Sequence, residues 1–311
     1  MRTNTLVASA VAFAALAAPE LAQTPPAAPA APAAPAAPAA PTPPLFSTTK
    51  VEGTDNVYIF RYQGHQSMFV VTKAGVIATD PIGLRRPQAV TTYLDEIKKV
   101  SNGQPVKYLI YSHPHYDHIT GGKPFKDAGA RIIAHRDTRT QLQRFPSSDI
   151  PMPDEVVGDK RSISLGGTTL ELIYLGPNHS EGALVMRLPK EKLVFVVDWA
   201  PIQGLPFRNM PDTENPADWQ NGLKKLAALD WDRMIPGHPG PGGRLGTKQD
   251  VTNLVGYFDD LAAAVKTAAA EGKCNDTAMR EVKLPKYEGW GGYAATLPMN
   301  IERMCYTHNG Y

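Results

Sequence analysis

From residue 57 onward the hydrophobic and polar positions fall into short, distinct periods. Val57 to Arg61 and Ser67 to Val71 read as strands, and Lys73-Ala74-Gly75 is a turn into a third, Val76 to Thr79, that ends at Asp80. The period then changes. Over Pro87 to Val100, Val90, Tyr93, Leu94 and Ile97 share one face at helical spacing. Val106 to Tyr111 is a compact apolar strand, and Arg131 to Ala134 is another. Two hairpins follow: Ser162 to Leu165 and Thr168 to Leu175 flank Gly166-Gly167, and Ala183 to Leu188 and Leu193 to Val197 flank Pro189 to Lys192. Ala217 to Leu229 and Val251 to Glu271 predict helices on either side of a short strand, Arg233 to Ile235. Tyr293 to Tyr306 predicts a last helix, broken at Pro298. Strands and helices, a block of hairpins and then helices again fit an α/β class with two mixed sheets and helices outside.

The first 45 residues have another character. Met1 to Ala18 carries one basic residue, Arg2, before an uncharged run from Leu6 rich in Ala, Val and Leu. That is the pattern of a secretory signal over residues 1–22, and the run is shorter than the roughly 20 apolar residues a membrane span needs. Residues 23–45 are almost wholly Ala and Pro, which suits an extended tether or an unstructured spacer. Residues 46–311 are left for one domain of ordinary size. An exported, periplasmic or secreted protein is expected, with no integral membrane segment once the signal is removed.

Composition narrows the partners. With 32 basic and 30 acidic residues the formal charge is +2, so there is no basic excess to attract nucleic acid. The only two cysteines, Cys274 and Cys305, lie near the carboxyl end and far from the chemistry-bearing motifs; a disulfide and two separate thiols are both open.

The strand Val106 to Tyr111 runs into Ser-His-Pro-His-Tyr-Asp-His, residues 112 to 118. Three of the chain's eight histidines and an aspartate thus sit just past a buried strand, where a bent loop can aim them at two metals. Imidazole nitrogen and carboxylate oxygen are ligands zinc accepts at about 2.0–2.2 Å. A polar surface loop is the bland alternative, disfavoured by so dense a cluster.

H-x-H-x-D-H after a strand, followed by Gly121-Gly122, resembles the signature of the metallo-β-lactamase superfamily. The likeness continues in order from about Asp55 to Pro241, through Asp80, His179 in Gly-Pro-Asn-His-Ser, Asp198 in Val-Val-Asp-Trp and His238 in Pro-Gly-His-Pro. The resemblance implies an αββα sandwich of two mixed β-sheets flanked by helices, with two Zn2+ at one edge and iron or manganese as alternatives. It implies that His113, His115 and His179 hold one ion, that Asp117, His118 and His238 hold the other, and that Asp198 bridges them. Asp117 and Asp80 are the expected catalytic carboxylates, Asp80 by orienting a ligand. A hydroxide between the metals would then attack a small-molecule carbonyl substrate such as a β-lactam, lactone or thioester.

Departures from the family's branches are informative. Asp198 rather than Cys at the bridging place is unlike the β-lactamases with a Cys ligand, and His115 rather than Glu is unlike the diiron flavoproteins. Trp199 follows Asp198 with no nearby Tyr, unlike quorum-signal lactonases. Phosphodiester or sulfate-ester hydrolysis, an iron-dependent oxygenase resembling persulfide dioxygenases, and a non-catalytic binding module are the competing readings. His65 is either a turn residue or one that touches substrate; His135 and His308 are expected to be structural or exposed. The proline-stiffened loop 201–216 is expected to shape the pocket through Phe207 and Arg208.

Overall fold

The computed structural model describes residues 43–274 and 276–308, so the expectations for residues 1–22 and for most of the Ala/Pro segment lie outside the described residues. The first sheet contains, in chain order, β1 (Phe46–Lys50), β2 (Val57–Tyr62), β3 (His65–Thr72), β4 (Gly75–Thr79), β5 (Val106–Ile110), β6 (Arg131–His135) and β7 (Glu155–Val157). Strands β1 to β4 pair antiparallel, and β4 to β7 pair parallel. The second sheet contains β8 (Lys160–Leu165), β9 (Thr168–Tyr174), β10 (Leu184–Leu188), β11 (Leu193–Val196) and β12 (Arg233–Pro236) in the order β12-β11-β10-β9-β8. Only β11 and β12 pair parallel there.

The helices are α1 (Pro87–Val100), α2 (Tyr116–Ile119), α3 (Lys123–Asp127), α4 (Arg136–Arg144), α5 (Pro216–Ala228), α6 (Lys248–Ala270), α7 (Asp276–Glu281) and α8 (Tyr293–His308). Helix α1 is the crossover between parallel β4 and β5, and α5 the crossover between β11 and β12, as parallel pairing requires a long connection.

Three apolar clusters explain the layering. Alternate residues of each strand point to opposite faces. Ile77, Ile110 and Ile133 therefore meet Leu172, Met186 and Phe195 between the sheets. Their neighbours Ala78, Leu109 and Ile132 pack outward against Tyr93 and Ile97 of α1. On the far side, Val185 and Val194 pack against Trp219, Leu223, Leu254 and Ile301 of α5, α6 and α8. The result is the expected sandwich: helix, sheet, sheet, helix.

The main departures from expectation have local causes. Helix α8 runs unbroken through Pro298, which sits at its sixth position. A proline so near the start removes one intrahelical bond, and Leu297 and Ile301 on either side are buried in the core. Helix α6 begins three residues before its apolar pattern because Thr247 and Asp250 form a reciprocal cap. Cys274 and Cys305 form a disulfide that ties the approach to α7 to α8.

Candidate metal centre

Most residues of the cluster leave from strand ends. Asp80 follows β4, His113 to His118 follow β5, Asp198 follows β11 and His238 follows β12; in an open α/β sheet this is where ligands bind. His179 comes from the loop between β9 and β10. The two sheets are stitched together here: Gln66 N–H donates to Gly237 O (2.7 Å), Gln66 Nε2 to Pro236 O (2.9 Å), and Leu184 N–H to Ser112 O (2.8 Å). The exits are strained. Asp80 (φ 25°), Ile82 (φ 50°) and Asp198 (φ 69°) are held in left-handed backbone conformations that cost L-residues energy and concentrate at functional sites. Gly237, just before His238, must lack a side chain, because a Cβ there would stand 2.5 Å from Val197 Cγ1 and 2.9 Å from Asp198 Oδ1.

The structure brings all seven expected ligands into two adjacent quartets. His113, His115, His179 and Asp198 form one; His65, Asp117, His118 and His238 form the other, and within each the donor atoms lie within 4.8 Å of one another. Asp198 belongs to both by distance. Its Oδ2 is 3.0 Å from His118 Nε2 and 3.6 Å from both His113 Nε2 and His179 Nε2, while its Oδ1 is 3.2 Å from His238 Nε2. These atoms converge without aligning as hydrogen bonds. His113 Nε2, His118 Nε2 and Asp198 Oδ1 are buried and have no hydrogen-bond partner in the protein. Unsatisfied polar atoms in so buried a place are costly. A cation among them removes the cost, so the residues fit the metal pair.

The outer side of three of the rings is also occupied. His238 Nδ1–H donates to Gly64 O (2.6 Å), His113 Nδ1 pairs with Ser112 Oγ (2.8 Å), and His115 Nε2–H donates to Asp212 Oδ2 (2.9 Å). Asp80 is fully buried, accepts from Ser112 N–H at Oδ1 (2.8 Å) and faces His118 Nδ1 with Oδ2 at 4.0 Å. Burial pushes its carboxyl up to about 6, against the pull of His118 and the Ser112 bond.

Burial also pushes His113 down to about 4 and His179 down to about 3, so both are neutral and ligand-competent at neutral pH. His118 goes the other way. Burial opposes its charge, but Asp198, Asp117 and Asp80 around it outweigh that and raise it to about 9. Burial likewise opposes ionisation of Asp198, yet the charge of His118 and the imidazoles of His113 and His238 hold its carboxyl well below the usual range.

Three participants escaped the sequence reading or were left open by it. His65 stands in the cluster, its ring 4.4 Å from that of His238. Arg86, whose side chain donates to His65 Nδ1 (2.8 Å) and Asp117 O (3.0 Å), carries no motif that would single it out. Asp212 lies in the proline-rich loop expected to shape the pocket, but no spacing ties it to His115. His135 is structural as expected, buried and stacked on Tyr174 with ring centres 4.1 Å apart.

A cavity of about 950 Å³ opens over Asp198, His179 and His238, with Ile202, Leu205 and Phe207 on its walls. A second recess of about 860 Å³ also borders His115 and Asp117, lined by Leu142, Phe145, Phe207 and Arg208. Phe207 is exposed and carries the Arg208 guanidinium 4.8 Å over its ring.

Residues 83–238, half of the chain, match the family described as the metallo-beta-lactamase superfamily. The 2,4-dinitroanisole O-demethylase subunit alpha of Nocardioides sp. (strain JS1661) is 28% identical over 201 residues, 63% of this chain and 58% of that protein. The chain therefore spans little more than half the length of that relative. Among solved structures, a metallo-beta-lactamase from Pontibacter korlensis superposes with TM-score 0.56 at 20% identity, covering 69% of this chain and 99% of its own. A double mutant of a sec-alkyl sulfatase superposes with TM-score 0.67 at 14% identity, covering 85% of this chain and 50% of its own. At these identities the structural likeness describes the fold.

Proposed function

The chain belongs to the metallo-beta-lactamase superfamily, and we propose that within it this is an exported, two-metal hydrolase of small molecules with a carbonyl as the point of attack. The observation that carries the reading is the convergence of unpartnered, buried His and Asp atoms on two adjacent centres. His113, His115 and His179 would hold one cation, Asp117, His118 and His238 the other, with Asp198 between them; zinc suits this donor set. Bound there, two cations lower the pKa of a shared water and polarise the scissile group.

The chain's own residues do the rest. Asp198 supplies carboxylate charge to both centres. Asp117 contributes a carboxylate on the open side, and Asp80 holds the loop that carries His113 to His118 through the Ser112 N–H. The walls select. Ile202, Leu205 and Phe207 favour a substrate with an apolar body, and among the described residues lining the two cavities Arg208 is the only Arg or Lys. That supports a carbonyl compound over a phosphodiester or sulfate ester, whose fixed charge calls for more cationic side chains.

The similarity to an O-demethylase subunit favours a second reading, hydrolysis of an activated aryl methyl ether by the same centre. Assay of the zinc-loaded chain against a β-lactam, a lactone, a thioester and 2,4-dinitroanisole chooses between them. Asp198→Ala is expected to lower turnover of the preferred substrate more than about 100-fold, beyond the usual loss from removing a ligand's outer partner, with far-UV circular dichroism unchanged. Near-normal turnover in that variant would dismiss the metal-centre reading.

A further inference from the structure

His65 has the position of a metal ligand. It shares a quartet with Asp117, His118 and His238, and its Nε2 lies 3.1 Å from Asp117 Oδ2. Its other nitrogen decides otherwise. Arg86 approaches His65 Nδ1 at 2.8 Å, and a guanidinium has five N–H donors and no acceptor. Nδ1 must therefore be the bare, accepting nitrogen, which puts the proton of the neutral ring on Nε2. A protonated nitrogen has no lone pair for a cation, but it is a donor to a carboxylate.

The contrast with the ligand histidines is chemical rather than positional. His115 and His238 are backed by acceptors, Asp212 and the carbonyl of Gly64, and such a partner draws the proton to the rear and frees the nitrogen facing the centre. His65 alone among the six is backed by a cation. Arg86 is itself fixed, with Nε donating to Ile82 O (3.2 Å) and a second amino group to Asp117 O (3.0 Å), so it spans His65 and the backbone of the residue that His65 touches.

We infer that His65 is a positioning residue for Asp117 and not a metal ligand: Arg86 fixes its tautomer, and its Nε2–H holds Asp117 Oδ2, the oxygen that lies 3.6 Å from His118 Nε2, in place at the centre while a second lone pair of that oxygen stays free for a cation. The inference rests on the metal-centre reading above for its purpose, though not for its geometry.

The tautomer is measured directly by nitrogen-resolved NMR of the histidine rings in the full-length chain, metal-free and zinc-loaded. A bare Nδ1 and a protonated Nε2 on His65 are expected in both; a proton on Nδ1 overturns the inference. Cobalt(II) titration then reads the consequence. His65→Leu is expected to weaken uptake of the second equivalent by about 10–100-fold, as loss of a ligand's outer partner does, with the visible ligand-field bands unchanged in shape. His65→Gln, whose amide N–H replaces the donor, is expected to recover most of that affinity. Equal weakening in both variants with altered bands would mean a lost ligand nitrogen and would overturn the inference, as would normal cobalt uptake by His65→Leu. If the wild-type chain takes up no second cobalt, the metal-centre reading fails instead, and the metal-free tautomer still decides the role of His65.

Discussion

Asp212 accepts from His115 Nε2–H at the rim of the cleft, which leaves His115 Nδ1 bare and 2.9 Å from His179 Nε2, on the side where a cation would sit. Removing that acceptor frees the ring to choose the other tautomer. Asp212→Ala is expected to weaken metal binding by about 10–100-fold with little change in melting temperature of the metal-free chain; competition against a chromogenic chelator measures it. The titration of the buried rings makes a second prediction, for the metal-free protein. His113 and His179 have folded values lowered to about 4 and 3, so their contribution is present above the ordinary 6.5 and is lost as pH falls toward those values. His118 is raised to about 9, so its contribution is full below 6.5 and is lost as pH rises through 9. The metal-free chain should therefore be most stable near pH 6.5. Saturating zinc should remove the alkaline decline, because a ligating His118 no longer carries the proton. Melting curves from pH 4 to 10, with and without zinc, test both limbs. At this scale much of the site was legible: the density of His and Asp between residues 113 and 118 pointed to a metal loop. Asp212 and Arg86 were not, since each acts on a ring distant in sequence, 97 residues away for Asp212 and His115.

Among the elements, periodicity located most strands and the four longest helices to within a few residues. It missed where side chains rather than apolar period set the boundary. Helix α6 is the clearest case: Thr247 Oγ1–H donates to Asp250 Oδ2 (2.9 Å), Asp250 accepts from Thr247 N–H (2.8 Å), and Arg244 grips the same carboxylate. Thr247→Ala is expected to cost about 1 kcal/mol, a lowering of a few degrees in melting temperature by calorimetry, with activity unchanged. Strands β1 and β7 went unread for a different reason. They are the edges of the first sheet, which tolerate short or irregular strands: β1 exposes Thr49 and Lys50, and β7 has only three residues, with Val156 exposed.

Across the whole molecule, the carboxyl-terminal helix reaches the site through the loop it braces. Asn300, fully buried on α8, donates from Nδ2 to Pro206 O (3.0 Å) and accepts from Tyr257 Oη–H (2.7 Å), while Arg303 donates to the backbone of Thr213 and Glu214. The disulfide fixes the same helix near its carboxyl end, closing a loop of 31 residues. By chain entropy that bond stabilises the fold by about 3 to 4 kcal/mol. Reduction under native conditions is expected to lower the melting temperature and raise KM before it lowers metal content, a split that a redox titration with parallel metal analysis resolves. The sequence left this bond open because two cysteines alone do not declare their distance. Segment 206–214, which carries Phe207 and Asp212 over the cleft, is thus gripped from behind by Asn300 and Arg303. The width of the entrance is set by residues that no substrate meets. Drift at Asn300 or Arg303 would then reshape that entrance while leaving every His and Asp of the cluster in place.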